Sequence, residues 1–250
     1  MAFLDFHFHS DVLGKQVAAY VVLPQETSAS QIGIEGKKTA EKFPCLYLLH
    51  GLSDDHTIWL RRTSIERFAA DYGIAVVMPD GAKSFYTDEK FGLPYYTFMS
   101  EELPRICETF FNISSDPADR LIAGLSMGGY GALKIALKNP DRYRAVAGLS
   151  PVSDIRQSYF PEVYYNVFGD TIPDSEDLFA LASATDSAAQ KPKVFMGVGT
   201  SDFMYGDTVR LKAHFDTLNY DFTYRESEGS HCWALWDEYI QYVLEWMFQK

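Results

Sequence analysis

Ser126 sits between two glycines in Gly124-Leu125-Ser126-Met127-Gly128. A serine hydroxyl is a poor nucleophile at its own pKa, so chemistry there needs a histidine to accept its proton and a carboxylate to orient that histidine. The two glycines suit a tight strand-to-helix turn in which neighbouring chain segments pass too closely for side chains. Such a turn aims the positive end of the following helix, and the N–H after the serine, at the point where negative charge develops during acyl transfer. The pentapeptide alone also occurs in ordinary glycine-rich turns. Its setting makes it informative, with the run Arg120 to Leu125 before it and the helix-forming Ala132 to Leu137 after it.

Six histidines compete for the role of base. His7 and His9 alternate with Phe6 and Phe8 in a strand-like N-terminal segment, and their His-x-His spacing lacks a third metal ligand. His214 lies mid-helix. His50 and His56 flank a separate loop. His231, in Glu228-Gly229-Ser230-His231-Cys232-Trp233, leaves the last strand and enters the last helix, at the sheet edge where α/β proteins bind ligands. The acid is expected between the serine and the histidine in chain order. Asp202, in Gly199-Thr200-Ser201-Asp202-Phe203, follows a strand and is preferred over Asp154, which follows the strand before it. Asp170, Asp174 and Asp177 read as solvated charges. A second oxyanion donor is expected from the loop His50-Gly51-Leu52-Ser53-Asp54-Asp55-His56, where Gly51 lets the backbone approach a substrate oxygen. Leu52 N–H is the candidate there, paired with Met127 N–H, and His50 is expected to brace the loop.

These residues must be carried by strands and helices in alternation. Val17 to Leu23, Phe43 to His50, Ile74 to Pro79, Arg120 to Leu125, Ala145 to Leu149, Lys193 to Gly199 and Phe222 to Ser227 are short apolar or β-branched runs bounded by Gly, Pro, Asp or Ser. Ser64 to Tyr72, Tyr96 to Phe111, Gly128 to Asn139, Thr208 to Leu218 and Trp233 to Phe248 have apolar positions at helical spacing. Apolar strands alternating with helices predict a mostly parallel sheet covered on both faces, an α/β class fold. Pro24 to Lys42 is polar and reads as a loop. Residues 150–190 break the rhythm with three prolines and the aromatics Tyr159, Phe160, Tyr164, Tyr165 and Phe168, and read as an insertion over the C-terminal edge that contributes a cap or pocket wall.

A length of 250 residues with 47% hydrophobic content suits one domain spanning residues 1–250. The balance of 22 basic against 34 acidic residues, a formal charge of −12, disfavours nucleic acid and anionic membranes as partners. Cys45, Cys107 and Cys232 are odd in number and widely spaced, which suggests neither a disulfide framework nor a zinc site. The N-terminus lacks a basic segment followed by an apolar one, and no run reaches the roughly 18 apolar residues of a membrane span. A cytoplasmic protein is expected. The long C-terminal aromatic helix could serve a homo-oligomer interface.

Taken together, Leu46 to Leu52, Ile122 to Ala132, the block from Tyr86-Thr87-Asp88 through Tyr95-Tyr96 to Glu101-Glu102-Leu103-Pro104, and His231 with Trp233 and Trp236 resemble the esterase D group of α/β-hydrolases. That group includes S-formylglutathione hydrolases, tributyrin esterases and mycolyltransferase-like esterases, and the resemblance is greatest to bacterial tributyrin esterases. It implies an α/β-hydrolase fold and hydrolysis of short-chain acyl esters of small alcohols, including acetylated sugars, without metal or cofactor. Formylglutathione-specific members usually carry a cysteine just after His-Gly-Leu-Thr and a histidine after Ser-Met-Gly-Gly, where this chain has Ser53-Asp54 and Tyr130. Thioester cleavage and acyl transfer to a bound alcohol are the rival activities. Trp59, Tyr86, Trp233 and the aromatic insertion are the candidate pocket walls.

Overall fold

The computed structural model describes residues 1–25, 41–157 and 159–249. An antiparallel hairpin, β1 (Ala2–Ser10) and β2 (Lys15–Leu23), opens the chain and places His7 and His9 on exposed positions beside Asp5 and Asp11. Strand β2 then pairs antiparallel with β4 (Ala75–Pro79). From there the sheet is parallel, running through β3 (Cys45–Leu49), β5 (Arg120–Leu125), β6 (Ala145–Leu149), β7 (Lys193–Gly199) and β8 (Phe222–Ser227) in the order β1-β2-β4-β3-β5-β6-β7-β8. Helices α1 (Ile58–Arg62), α2 (Ile65–Tyr72), α3 (Tyr95–Thr97), α4 (Leu103–Phe110), α5 (Met127–Lys138), α6 (Pro161–Phe168), α7 (Leu178–Thr185), α8 (Tyr205–Phe215) and α9 (Trp233–Phe248) fill the connections.

The continuous apolar runs are explained by burial on both faces. In β3, Cys45, Tyr47 and Leu49 point into a core shared with α4, α5, α7 and α8, whereas Leu46 and Leu48 point into a second core with α2 and α9. Period-two alternation therefore sorts side chains between two cores rather than between core and water. Every residue of β3 through β7 is buried except Lys193, so β5 and its C-terminal turn lie at the rigid centre of the sheet.

Three local expectations are corrected. The helix expected over Tyr96 to Phe111 contains a π turn at Phe98–Glu102, where Leu103 N bonds back five residues to Phe98 O. Pro104 has no N–H for the Ser100 carbonyl, which takes Arg142 Nη2 at 2.7 Å instead. The turn aims buried Glu102 at the β1–β2 connection, where it accepts from Ser10 Oγ and, at 2.9 Å, from Asp11 N. The insertion at 150–190 is less irregular than its composition suggests, since it forms α6 and α7. Pro161 in the first turn of α6 and the Asp177 side chain capping Phe179 N at 2.8 Å mark their starts. The short helix α1 was not expected. Most of the polar connection from Pro24 to Lys42 lies outside the described residues.

Candidate active site

Strand β5 ends at Leu125 and α5 begins at Met127, so Ser126 is the whole turn. Its φ of 52° and ψ of −117° form a conformation that ordinary side chains avoid, and strain of this kind costs on the order of 1–3 kcal/mol. The surroundings hold it in place. Ser126 N donates to Leu149 O at 2.8 Å, while Ser126 O accepts from Tyr130 N at 3.0 Å and Val152 N at 3.2 Å. A Cβ on Gly124 would strike the Gly128 carbonyl, and one on Gly128 would strike the carbonyls of Leu49 and His50. Both flanking positions thus require glycine for close approach. The turn points the N-terminus of a 12-residue helix at the serine, and Met127 N–H belongs to a first helical turn that has no intrahelical acceptors.

Asp202 and His231 reach the same edge on two loops that cross. Ser201 N donates to Gly229 O at 2.9 Å, and Gly199 passes the Gly229 carbonyl too closely for a side chain. This crossing brings His231 Nδ1 to 3.0 Å from Asp202 Oδ1 and 2.9 Å from Oδ2. The Asp202 side chain is fully buried, and its Oδ1 also accepts from Met204 N at 2.8 Å. The imidazole is collared by Phe203 and Trp236, with ring centres at 4.6 and 4.8 Å. A carboxylate on Nδ1 holds the proton there and leaves Nε2 as the basic nitrogen. No hydrogen bond joins Nε2 to Ser126 Oγ in this geometry, although both residues line one cleft of about 460 Å3. Asp154 is engaged elsewhere, by Arg210 Nη2 at 2.7 Å and Arg156 N at 3.0 Å. His214, on α8, lies 2.9 Å from Ser183 Oγ of α7.

The loop after β3 forms the opposite lip. His50, 1% exposed, has Nδ1 2.7 Å from Gly51 O and accepts Gly81 N at its Nε2 at 2.8 Å. This pattern fixes the neutral tautomer with the proton on Nδ1, because Nε2 is an acceptor. His50 therefore braces the loop. Gly51 O also accepts from Asp54 N at 3.2 Å. In a trans peptide C=O and N–H point in opposite directions, so pinning Gly51 O turns Leu52 N–H away from the imidazole. Leu52 itself lines the cleft.

Two of the aromatic side chains expected as pocket wall lie behind it. Tyr86 is fully buried, its hydroxyl donating to His50 O at 2.9 Å. Trp59 donates its indole N–H to Leu49 O at 2.9 Å and meets Trp233 edge-on, with ring centres 5.2 Å apart. Each has found a backbone carbonyl for its polar atom, which lets it sit in the core. Trp233 does line the cleft, together with Phe160, Phe203 and Trp236. Phe203 and Cys232 were missed as lining residues. The only signal for them is adjacency to Asp202 and His231 in sequence.

On α5, Lys134 is fully buried and its ammonium reaches Glu176 Oε2 at 2.7 Å, Phe85 O at 3.2 Å and Thr87 Oγ1. Lys138 takes the other carboxylate oxygen at 2.5 Å, and Tyr130 OH donates to Glu176 O at 2.7 Å. Burial pushes the Lys134 ammonium down to about 8, while Glu176 is held below its ordinary value because the two ammoniums outweigh its own burial. The network ties the insertion to α5 and to residues 85–87. Glu176→Gln removes the carboxylate that holds the Lys134 proton against burial, so Lys134 either stays charged without its counter-ion or gives up that proton. The substitution is expected to lower the unfolding free energy by about 3–5 kcal/mol in urea titrations, with Lys134→Met recovering part of the loss. A drop below about 1 kcal/mol would show that the pair is not a structural tie.

Among the described residues no cluster of three or more His, Cys, Asp or Glu side chains could hold a metal ion, and no helix is long and apolar enough to cross a membrane. The family model described as "Putative esterase" matches residues 10–245. An acetyl esterase of Caldicellulosiruptor saccharolyticus is 30% identical over 263 residues, covering 99% of this chain and 98% of its own. The substrate-bound structure of FphF, a fluorophosphonate-binding serine hydrolase of Staphylococcus aureus, superposes with a TM-score of 0.89 at 29% identity, covering 100% of this chain and 99% of that one. The S-formylglutathione hydrolase FrmB of the same organism gives 0.86, at 29% identity and 99% coverage of both chains. The chain therefore belongs to this esterase family and is a carboxylic ester hydrolase of the serine type with an α/β-hydrolase fold.

Proposed function

We propose that the protein hydrolyses short-chain acyl esters, acetyl to butyryl, of small alcohols through a Ser126-His231-Asp202 triad. Ser126 Oγ attacks the ester carbonyl as its proton passes to His231 Nε2, and the alcohol leaves carrying that proton. Water, deprotonated by the same imidazole, then releases the acid from the acyl-enzyme. Leu52 and Met127 N–H groups hold the oxyanion, and Asp202 keeps the imidazole in its tautomer and stabilises the imidazolium. The observation that carries this reading is the buried Asp202 carboxylate bonded to His231 Nδ1 in the cleft that Ser126 lines. The serine–histidine contact then forms by side-chain rotation as substrate enters, since catalytic hydrogen bonds tighten in the Michaelis complex. The short-acyl preference is supported by the cleft's modest volume, its Trp233 and Trp236 walls and the relative named an acetyl esterase. Three free cysteines support a reducing, cytoplasmic location.

The test is kcat/KM across p-nitrophenyl acetate, butyrate and octanoate. A fall of about tenfold or more beyond butyrate is expected, corresponding to about 1.4 kcal/mol of lost fit. A flat or rising series would remove the short-chain assignment.

A further inference from the structure

We propose that Asp54 sets the charge selectivity of the cleft, admitting uncharged or cationic esters that bear hydroxyl donors and rejecting anionic ones. This inference rests on the esterase reading above and specifies its substrate class. Asp54 closes the oxyanion loop through its own N–H, and its carboxylate folds back over Gly51. A Cβ placed on Gly51 would lie 3.1 Å from Asp54 Oδ2 and 3.9 Å from Ser126 Cβ, so carboxylate and nucleophile flank the same point. Among the described residues, those lining the cleft include no lysine or arginine, and Arg62, outside the lining, is the weakest of the influences on the carboxyl. Burial raises the Asp54 carboxyl above its ordinary value, against a hydrogen bond from the Gly51 backbone that favours the charged form. A substrate hydroxyl can supply a further donor, whereas a substrate carboxylate meets a like charge at a few ångströms in a partly desolvated site. The formal charge of −12 adds a repulsive long-range field. S-acyl glutathiones, which carry two carboxylates, fall on the rejected side.

The experiment uses three acetyl esters of matched shape: phenyl acetate, 4-acetoxybenzoate and 4-(trimethylammonio)phenyl acetate. Their kcat/KM values are normalised to alkaline hydrolysis rates and measured at low and high salt, with S-formylglutathione added as a fourth substrate. The wild type is expected to favour cationic over neutral over anionic ester, with the anionic one about tenfold below the neutral. Asp54→Asn should raise the anionic-to-neutral ratio about tenfold and flatten its salt dependence, whereas Asp54→Glu should keep both. A purely structural role for Asp54 would change all esters together. Ser53→Lys, at an exposed lining position, provides an independent arm and should raise the same ratio. Ratios unchanged within about twofold in Asp54→Asn, while Ser53→Lys shows that the assay reads a charge in the cleft, would overturn the proposal. Failure of the underlying esterase reading looks different: phenyl acetate would not be turned over, or its turnover would resist a fluorophosphonate.

Discussion

Ser126→Ala is expected to lower kcat for p-nitrophenyl acetate by about 10⁶-fold and to abolish labelling by a fluorophosphonate, with the circular dichroism spectrum unchanged. The size follows from the mechanism, because without Oγ no acyl-enzyme forms and only the oxyanion donors and binding remain. One rival nucleophile makes the test sharper. Cys232 also lines the cleft, and its thiol is pulled below the ordinary cysteine value by the Leu235 and Ala234 backbone amides at the start of α9, against its slight burial. If the alanine variant kept substantial activity that iodoacetamide removed, the nucleophile would be the thiol and not the serine. Near wild-type activity insensitive to iodoacetamide would sink the triad altogether.

Asp202→Asn is the second large effect, a loss of about 10⁴-fold in kcat with KM little changed. An asparagine fills the same volume and its oxygen can still take Met204 N, now at 2.8 Å from Asp202 Oδ1. Its amide N–H₂ would then face His231 Nδ1, favour the tautomer with the proton on Nε2, and leave that nitrogen unable to accept from serine. Asp154→Asn serves as the contrast. Its carboxylate is bound to Arg210 on an exposed part of α8, so the change should alter kcat by no more than a few-fold. Reversal of the two outcomes in steady-state assays would move the acid to the loop after β6.

The fold and much of the candidate site's arrangement were legible because a single physical constraint shaped both. Strands buried on two faces must be apolar throughout, and the loops leaving their C-terminal ends must carry glycine wherever two of them cross. Leu46 to Leu49, Ile122 to Leu125 and Val194 to Val198 announced the first and Gly124 and Gly128 the second, while the crossing at Gly199 and Gly229 emerged only in the structure. Chain order then narrowed the candidates to Ser126, Asp202 and His231. The cleft wall was less legible. Trp59, Tyr86 and Trp233 are all aromatic with one polar atom, and what separates core from wall is whether a distant carbonyl, Leu49 O or His50 O, lies within reach of that atom. The insertion hid α6 and α7 behind its prolines, although Pro161 opens one helix and Asp177 caps the other. The π turn escaped because periodicity shows apolar spacing, not which carbonyl Pro104 leaves without a donor.

The Glu176 tie also bears on how this scaffold can be altered. A loop over a candidate active site is often treated as an exchangeable module, yet here the segment between β6 and β7 supplies the counter-charge for a lysine buried on α5, the helix that follows Ser126. Grafting another segment in its place without a carboxylate at that point would leave the scaffold with a buried lysine that has lost its counter-charge. Chimeras should therefore express and fold only when they restore the acid or replace Lys134 at the same time, which makes the two positions a unit of exchange.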